Sequence, residues 1–81
     1  MPLRLRIERI AADKLQRTVA RESHVDEANY SRIERGLTVP YDPEIKRIAD
    51  VLDWKGDPRA LLEEVPAVEI AAKTLRKDVR L

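Results

Sequence analysis

The residues able to do covalent chemistry are few. The chain has one histidine, His24, and no cysteine. A thiolate nucleophile, a disulfide, a thiolate zinc site and a His-cluster metal site are therefore excluded. Acid–base or nucleophilic catalysis needs several groups converging in a pocket, and 81 residues with one histidine in a turn-like stretch offer no such set. No catalytic residue, metal ligand or cofactor is expected, and the chain reads as a non-enzyme. What it has in quantity is charge: 16 Lys and Arg against 15 Asp and Glu, net +1, with charged residues at 38%. The chemistry such residues can do is ionic and hydrogen-bonded recognition. A nearly neutral chain attracts a polyanion only where its cations gather on one face. Arg17 and Arg21 stand four apart, and Arg32 and Arg35 three apart, with Glu22, Asp26 and Glu27 between the pairs. That face is mixed, so tight non-specific binding to nucleic acid is not expected. One Trp, two Tyr and no Phe argue against a surface that stacks single-stranded bases.

Short amphipathic helices must position these groups. The length predicts one domain with a modest, mainly aliphatic core. Leu3, Ile7, Ile10 and Ala11 fall at helical spacing and predict a first helix over Leu3 to Ala11. The alternation of Leu3, Leu5 and Ile7 with Arg4 and Arg6 is also a strand pattern, but Ile10 and Ala11 extend the helical face. A second helix, from Gln16 to Ser23, carries Val19 and Ala20. A third, from Glu27 to Arg35, carries Tyr30 and Ile33 on one side and is stopped by Gly36. Asp42-Pro43 and Asp57-Pro58 each place a capping carboxylate before a proline suited to a first helical turn. Ile45, Ile48, Ala49 and Leu52 then mark a fourth helix, and Leu61, Leu62 and Val65 a short fifth ending near Pro66. Val68, Ala72, Leu75 and Val79 form one further stripe, a sixth helix or a frayed arm. Tyr41 and Trp54 are expected to cap the core before and after the fourth helix. The class is all-α. No apolar run reaches the roughly 20 residues of a membrane span, and the N-terminal residues lack a signal-peptide core. The chain is expected to be cytoplasmic.

From Gln16 to Gly36 the chain reads QRTVARESHVDEANYSRIERG. It resembles the helix-turn-helix of the Xre/Cro family of repressors. That pattern runs from a Gln through two polar residues, a Leu-Ala pair and a Gly-Val turn to Ser-Arg-Ile-Glu-Arg-Gly. Gln16, Val19, Ala20, Val25, Ser31, Arg32, Ile33, Glu34, Arg35 and Gly36 fall in register, and Pro40 and the run Ile48 to Leu52 keep the spacing downstream. The resemblance spans roughly Arg9 to Leu62. It implies a compact five-helix, lambda-repressor-like domain over 1–65, with 66–81 as a C-terminal helix or tail. The chain departs from the pattern at three places. His24 stands where the family has its turn glycine, Asp13 and Lys14 replace the Gly-Leu before the glutamine, and the third helix opens on Asp26-Glu27.

The resemblance also implies roles. The third helix lies in the major groove of duplex DNA. Gln16 then meets a phosphate and braces that helix, or is an ordinary helix-start residue. Arg32 reaches guanine O6 and N7, contacts a phosphate, or is a solvated partner of Glu27 or Asp26. Asp26 is the N-cap. Glu27 accepts from cytosine N4, or simply complements the helix dipole. Ala28 touches a thymine methyl or is only a good helix former. Asn29 and Ser31 are further contacts, and Arg17, Arg35 and Thr38 line the phosphate strip. Arg9 and Glu34 match a structural ion pair between the first and third helices. The implied protein is a transcriptional regulator, a homodimer on a palindromic operator, with the C-terminal stripe either pairing two copies or folding back on its own core. The alternative is a protein-interaction module on the same fold, such as an antitoxin or an anti-repressor partner. The near-neutral charge and the acidic opening of the third helix point to it.

Overall fold

A computed structural model of the chain describes residues 2–66. Four α-helices and one 3-10 turn pack around a single core: α1 (Arg4–Ala11), α2 (Gln16–Glu22), α3 (Glu27–Glu34), α4 (Asp42–Val51) and the 3-10 turn Pro58–Leu62. The expected fifth helix is thus only this turn. Its N-cap is Asp57, as the Asp-Pro pair predicts, with the carboxylate accepting from the Arg59 N–H at 3.0 Å. It cannot lengthen because the residues after it pair with the N-terminus. Arg4 N–H donates to Glu63 O at 2.8 Å and Val65 N–H to Pro2 O at 2.9 Å, around an antiparallel bridge between Leu3 and Glu64. The expected sixth helix or arm lies outside the described residues.

The core is Leu5 from α1, Val19 and Ala20 from α2, Val25 from the turn, Tyr30 and Ile33 from α3, Ile45, Ile48 and Ala49 from α4, and Leu61 and Val65 beyond. The periodicities of α2, α3 and α4 identify their buried faces. That of α1 does not. Leu5 is its only fully buried residue, Ile10 is 45% exposed and Ala11 is exposed. The inward face of α1 is shared by Leu5 and, one turn on, Arg9, whose guanidinium bonds to buried Glu34. A charge on the inner face conceals the apolar stripe.

Helix α4 begins at Asp42 itself, so Asp42 is not its N-cap. Tyr41 holds that position, with its N–H donating to the Glu44 carboxylate at 3.0 Å. Asp42 instead pairs with Arg59, joining α4 to the 3-10 turn. Tyr41 does not cap the core; it is 79% exposed. Trp54 does pack against the core, with its indole N–H donating to Asp57 O at 3.0 Å.

All four helices end alike. Beyond α1, α2, α3 and α4 the residues at positive φ are Asp13, His24, Gly36 and Asp53. In each case the next N–H reaches five residues back: Lys14 to Arg9 O, Val25 to Ala20 O, Leu37 to Arg32 O and Trp54 to Ala49 O. This is the Schellman closure, which satisfies carbonyls the helix leaves open. Glycine fills the left-handed position once. Elsewhere an aspartate or histidine accepts it at a cost glycine would avoid.

Candidate nucleic-acid interface

The break between α1 and α2 falls at residues 12–15, as expected, although no glycine marks it. Asp13 supplies the left-handed residue (φ 58°), and Arg9 closes the turn by donating to Lys14 O at 2.8 Å. The same guanidinium makes two parallel bonds to Glu34, Nε to Oε2 and an Nη to Oε1, both at 2.9 Å. Gln16, at the start of α2, donates its amide to Glu34 Oε1 at 3.1 Å. One carboxylate at the end of α3 therefore ties together the end of α1, the following turn and the start of α2. The glutamine that the family pattern singles out is a brace of α3 here.

Glu34 is 3% exposed. Burial opposes its ionisation, but the hydrogen bonds from Arg9 and Gln16 outweigh burial and hold its carboxyl below the ordinary glutamate range. The bond to Glu34 in turn raises the Arg9 pKa, against the smaller opposing effect of burial. The Tyr30 hydroxyl is fully buried near the same carboxylate without a well-formed hydrogen bond. Burial first, and then the negative charge of Glu34, push its pKa far above the ordinary phenol value, so Tyr30 stays neutral.

The turn into α3 is equally fixed. His24 takes the left-handed conformation (φ 58°) in place of glycine. Ser23 is fully buried and its hydroxyl donates to Val19 O at 2.6 Å. Arg47 of α4 donates to Ser23 O at 2.8 Å, clamping the end of α2 to α4. Neither contact was expected, and an arginine on a solvated-looking helix face carries no sequence signal of such a role. Asp26 is the N-cap of α3, accepting from the Asn29 N–H at 3.1 Å.

These supports bury Tyr30, Ile33 and Glu34 and turn the opposite side of α3 outward. Glu27, Ala28, Arg32 and Arg35 are exposed, and Ser31 is half-buried among them. They stand at i, i+1, i+4, i+5 and i+8, one stripe along a helix of eight residues and their neighbour Arg35. Eight residues span about 12 Å, the width of the DNA major groove. Asn29 is half-buried and lies off the stripe. Arg35 bends back, its Nε donating to Ser31 O at 3.3 Å. Arg17 is exposed beside Gln16, and Thr38 is half-buried just past Gly36. Arg32 and Glu27 have no ion pair with another described residue.

The sequence profile of the helix-turn-helix domain family matches residues 3–62. The chain belongs to that family. The match runs from the residue before α1 to the last residue of the 3-10 turn, so it takes in every described element. No curated protein and no solved structure gives a significant match. As a helix-turn-helix domain the chain is of a DNA-binding type, and α2, the His24 turn and α3 are the helix-turn-helix itself. Among the described residues no helix is long and apolar enough to cross a membrane.

Proposed function

We propose that this helix-turn-helix domain binds double-stranded DNA sequence-specifically as a transcriptional regulator of the Xre/Cro type, a dimeric repressor of cytoplasmic location. One observation carries the reading: α3 presents a stripe of Glu27, Ala28, Ser31, Arg32 and Arg35 while a buried network fixes its orientation. A helix that reads base edges must be held rigidly, because hydrogen bonds to bases tolerate little displacement. On this reading Arg32 donates to guanine, Glu27 accepts from cytosine N4 and Ala28 meets a thymine methyl. Arg17, Arg35 and Thr38 lie along phosphates, with Gln16 at the edge of that strip. Asn29 and Ser31 are subsidiary contacts. Residues 1–65 form the reading head, and the apolar positions Val68, Ala72, Leu75 and Val79 pair two copies, so that the operator is an inverted repeat.

A second reading, a protein-interaction module on the same fold, is favoured by the loop from α3 to α4. Leu37, Val39 and Tyr41 alternate along it and are 66%, 76% and 79% exposed. Exposed apolar residues in succession are a common mark of protein contact. The test compares wild type with Arg32→Ala on a selected operator and on scrambled duplex. A base-reading Arg32 is worth about 1–3 kcal/mol at one base pair, so its loss reduces operator binding at least several-fold more than scrambled binding. Absence of binding to any duplex would transfer the function to the interaction module.

A further inference from the structure

The loop from α3 to α4 carries no charge. Gly36 to Tyr41 is the longest uncharged run in a sequence that is 38% charged. Burial alternates along it. Leu37, Val39 and Tyr41 are exposed, while Thr38 between them is half-buried and Pro40 is buried. The three apolar side chains therefore share the outer face. Beside them lies an open cleft of about 310 Å3, lined with aliphatic carbon from Leu3, Ile33, Val39 and Leu62 and edged by Gly36 and Thr38. One loop thus carries an exposed aromatic ring at Tyr41 and, next to Leu37, a hollow able to receive one. Aromatic side chains seated in such hollows are the residues that dominate protein contacts.

These features complement themselves. A two-fold contact repeats each pairing, residue i against j and j against i. An axis at Val39 sets Val39 against its own copy and Leu37 against Tyr41 of the second copy, whose ring then meets the cleft. The same axis brings Arg35 of each copy toward Asp42 of the other, at the two ends of the uncharged run. Both are exposed. A guanidinium has five N–H donors, and among the described residues Arg35 engages only Nε, on Ser31 O at 3.3 Å. A phosphate and a carboxylate can share the rest. Asp42 keeps Arg59 on one side and is otherwise open to solvent. The area is small, however. A large aromatic side chain buries about 150–250 Å2, so three side chains that are already partly covered fall short of the roughly 800 Å2 buried by each member of a stable pair. Such a patch does not hold two free copies together, but it adds affinity once DNA has set them side by side. Its position suits that use, because it begins at Gly36, where α3 ends, beside the Arg35 and Thr38 assigned above to phosphates.

We propose that Leu37, Val39 and Tyr41 form a contact between two copies of this chain on neighbouring half-sites of duplex DNA, made only when DNA brings the copies together. The proposal rests on the duplex-binding reading and adds to it a contact between the heads themselves. Helix α3 chooses the half-site, and the loop chooses the distance between half-sites. This holds whether or not the C-terminal apolar positions tether the same two copies.

The test uses the full chain, a full-chain variant with Leu37→Ser, Val39→Ser and Tyr41→Ser, and a second with Val39→Glu alone, which sets two like charges together at the axis. All three positions are exposed, so the core is left in place. Each protein is titrated with a duplex carrying the selected half-site once, and with duplexes carrying it twice as an inverted repeat at spacings from about one turn to one and a half turns. The readout is the ratio of affinity for the repeat to affinity for the single half-site. In wild type the ratio peaks near one spacing and falls half a turn away. In both variants the peak ratio drops at least about tenfold, equivalent to about 1.4 kcal/mol, while sedimentation finds the same oligomeric state in solution for all three proteins. Equal ratios in wild type and variants would overturn the contact, leave the patch to a different protein and leave the duplex reading standing. A wild-type dimer in solution that dissociates in the variants would overturn the dependence on DNA. Absence of duplex binding by wild type would overturn both readings.

Discussion

Replacing Glu34 by Gln probes the support on which the account of α3 depends. The carboxylate accepts three hydrogen bonds, two from Arg9 and one from Gln16. An amide of the same shape can accept from only one side. Its NH2 would face an N–H of Arg9, and the guanidinium would lose its counter-charge. The Arg9 side chain is 12% exposed and that of Glu34 1%, so the stranded cation is mostly screened from water. Breaking a buried pair costs about 3–5 kcal/mol. The partial access of Arg9 to solvent and its surviving bond to Lys14 O place the expectation near about 3 kcal/mol. In a domain of this size 1 kcal/mol moves the midpoint by about 4–8 °C, so the fall in Tm should be about 12–24 °C. Thermal unfolding followed by circular dichroism at neutral pH measures it. A Tm within about 2 °C of wild type would refute the reasoning, because the pair would then contribute no more than a surface ion pair.

The remaining predictions follow from neighbouring features. The Glu34 carboxyl is held below its unfolded pKa of about 4.3, so its contribution is present above that pH and is lost as pH falls through the lower folded value; acid titration of stability should show this loss in wild type and not in Glu34→Gln. His24→Gly and Asp13→Gly should each stabilise by about 0.5–1 kcal/mol in urea unfolding, since relief of the left-handed cost exceeds the added chain entropy. Gly36→Ala should destabilise by about 1–2 kcal/mol through its φ of 77° alone, because the added methyl would meet nothing nearer than Leu3 Cδ1 at 3.9 Å. Tyr30→Phe should change stability by less than about 1 kcal/mol, since the hydroxyl it removes is buried without a hydrogen bond.

What the sequence discloses and what it hides divide along physical lines. Helix α4 was legible because three inward aliphatic residues recur at 3.6-residue spacing behind a proline. The end of α3 was legible because Ser-Arg-Ile-Glu-Arg-Gly couples a buried Ile33 to a buried Glu34 and a glycine stop, and Arg9 could be paired with Glu34 by register. Helix α1 lies where the spacing predicts it, but its buried face differs from the expected stripe because eight residues make two turns and the inner face is half charge: Leu5 and Arg9 point inward while Ile10 does not. Tyr41 was misplaced because an aromatic beside a helix start resembles a cap, whereas Pro40 is the buried residue there. The fifth helix was shortened by the pairing of Glu63 to Val65 with Pro2 to Arg4, a long-range contact without local signature. The clamp of Arg47 on Ser23 O was invisible for the same reason, and the outward stripe of α3 was legible only once its buried side was known.

The central claim is that α3 reads sequence in duplex DNA, and selection of bound duplexes from a random pool by the full chain tests it most directly. The account predicts enrichment of an inverted repeat whose half-sites are centred about 10–10.5 base pairs apart or a multiple of that, with a G·C pair in each half-site whose preference disappears when the selection is repeated with Arg32→Ala. A pool that remains random after repeated rounds with the wild-type protein would contradict it.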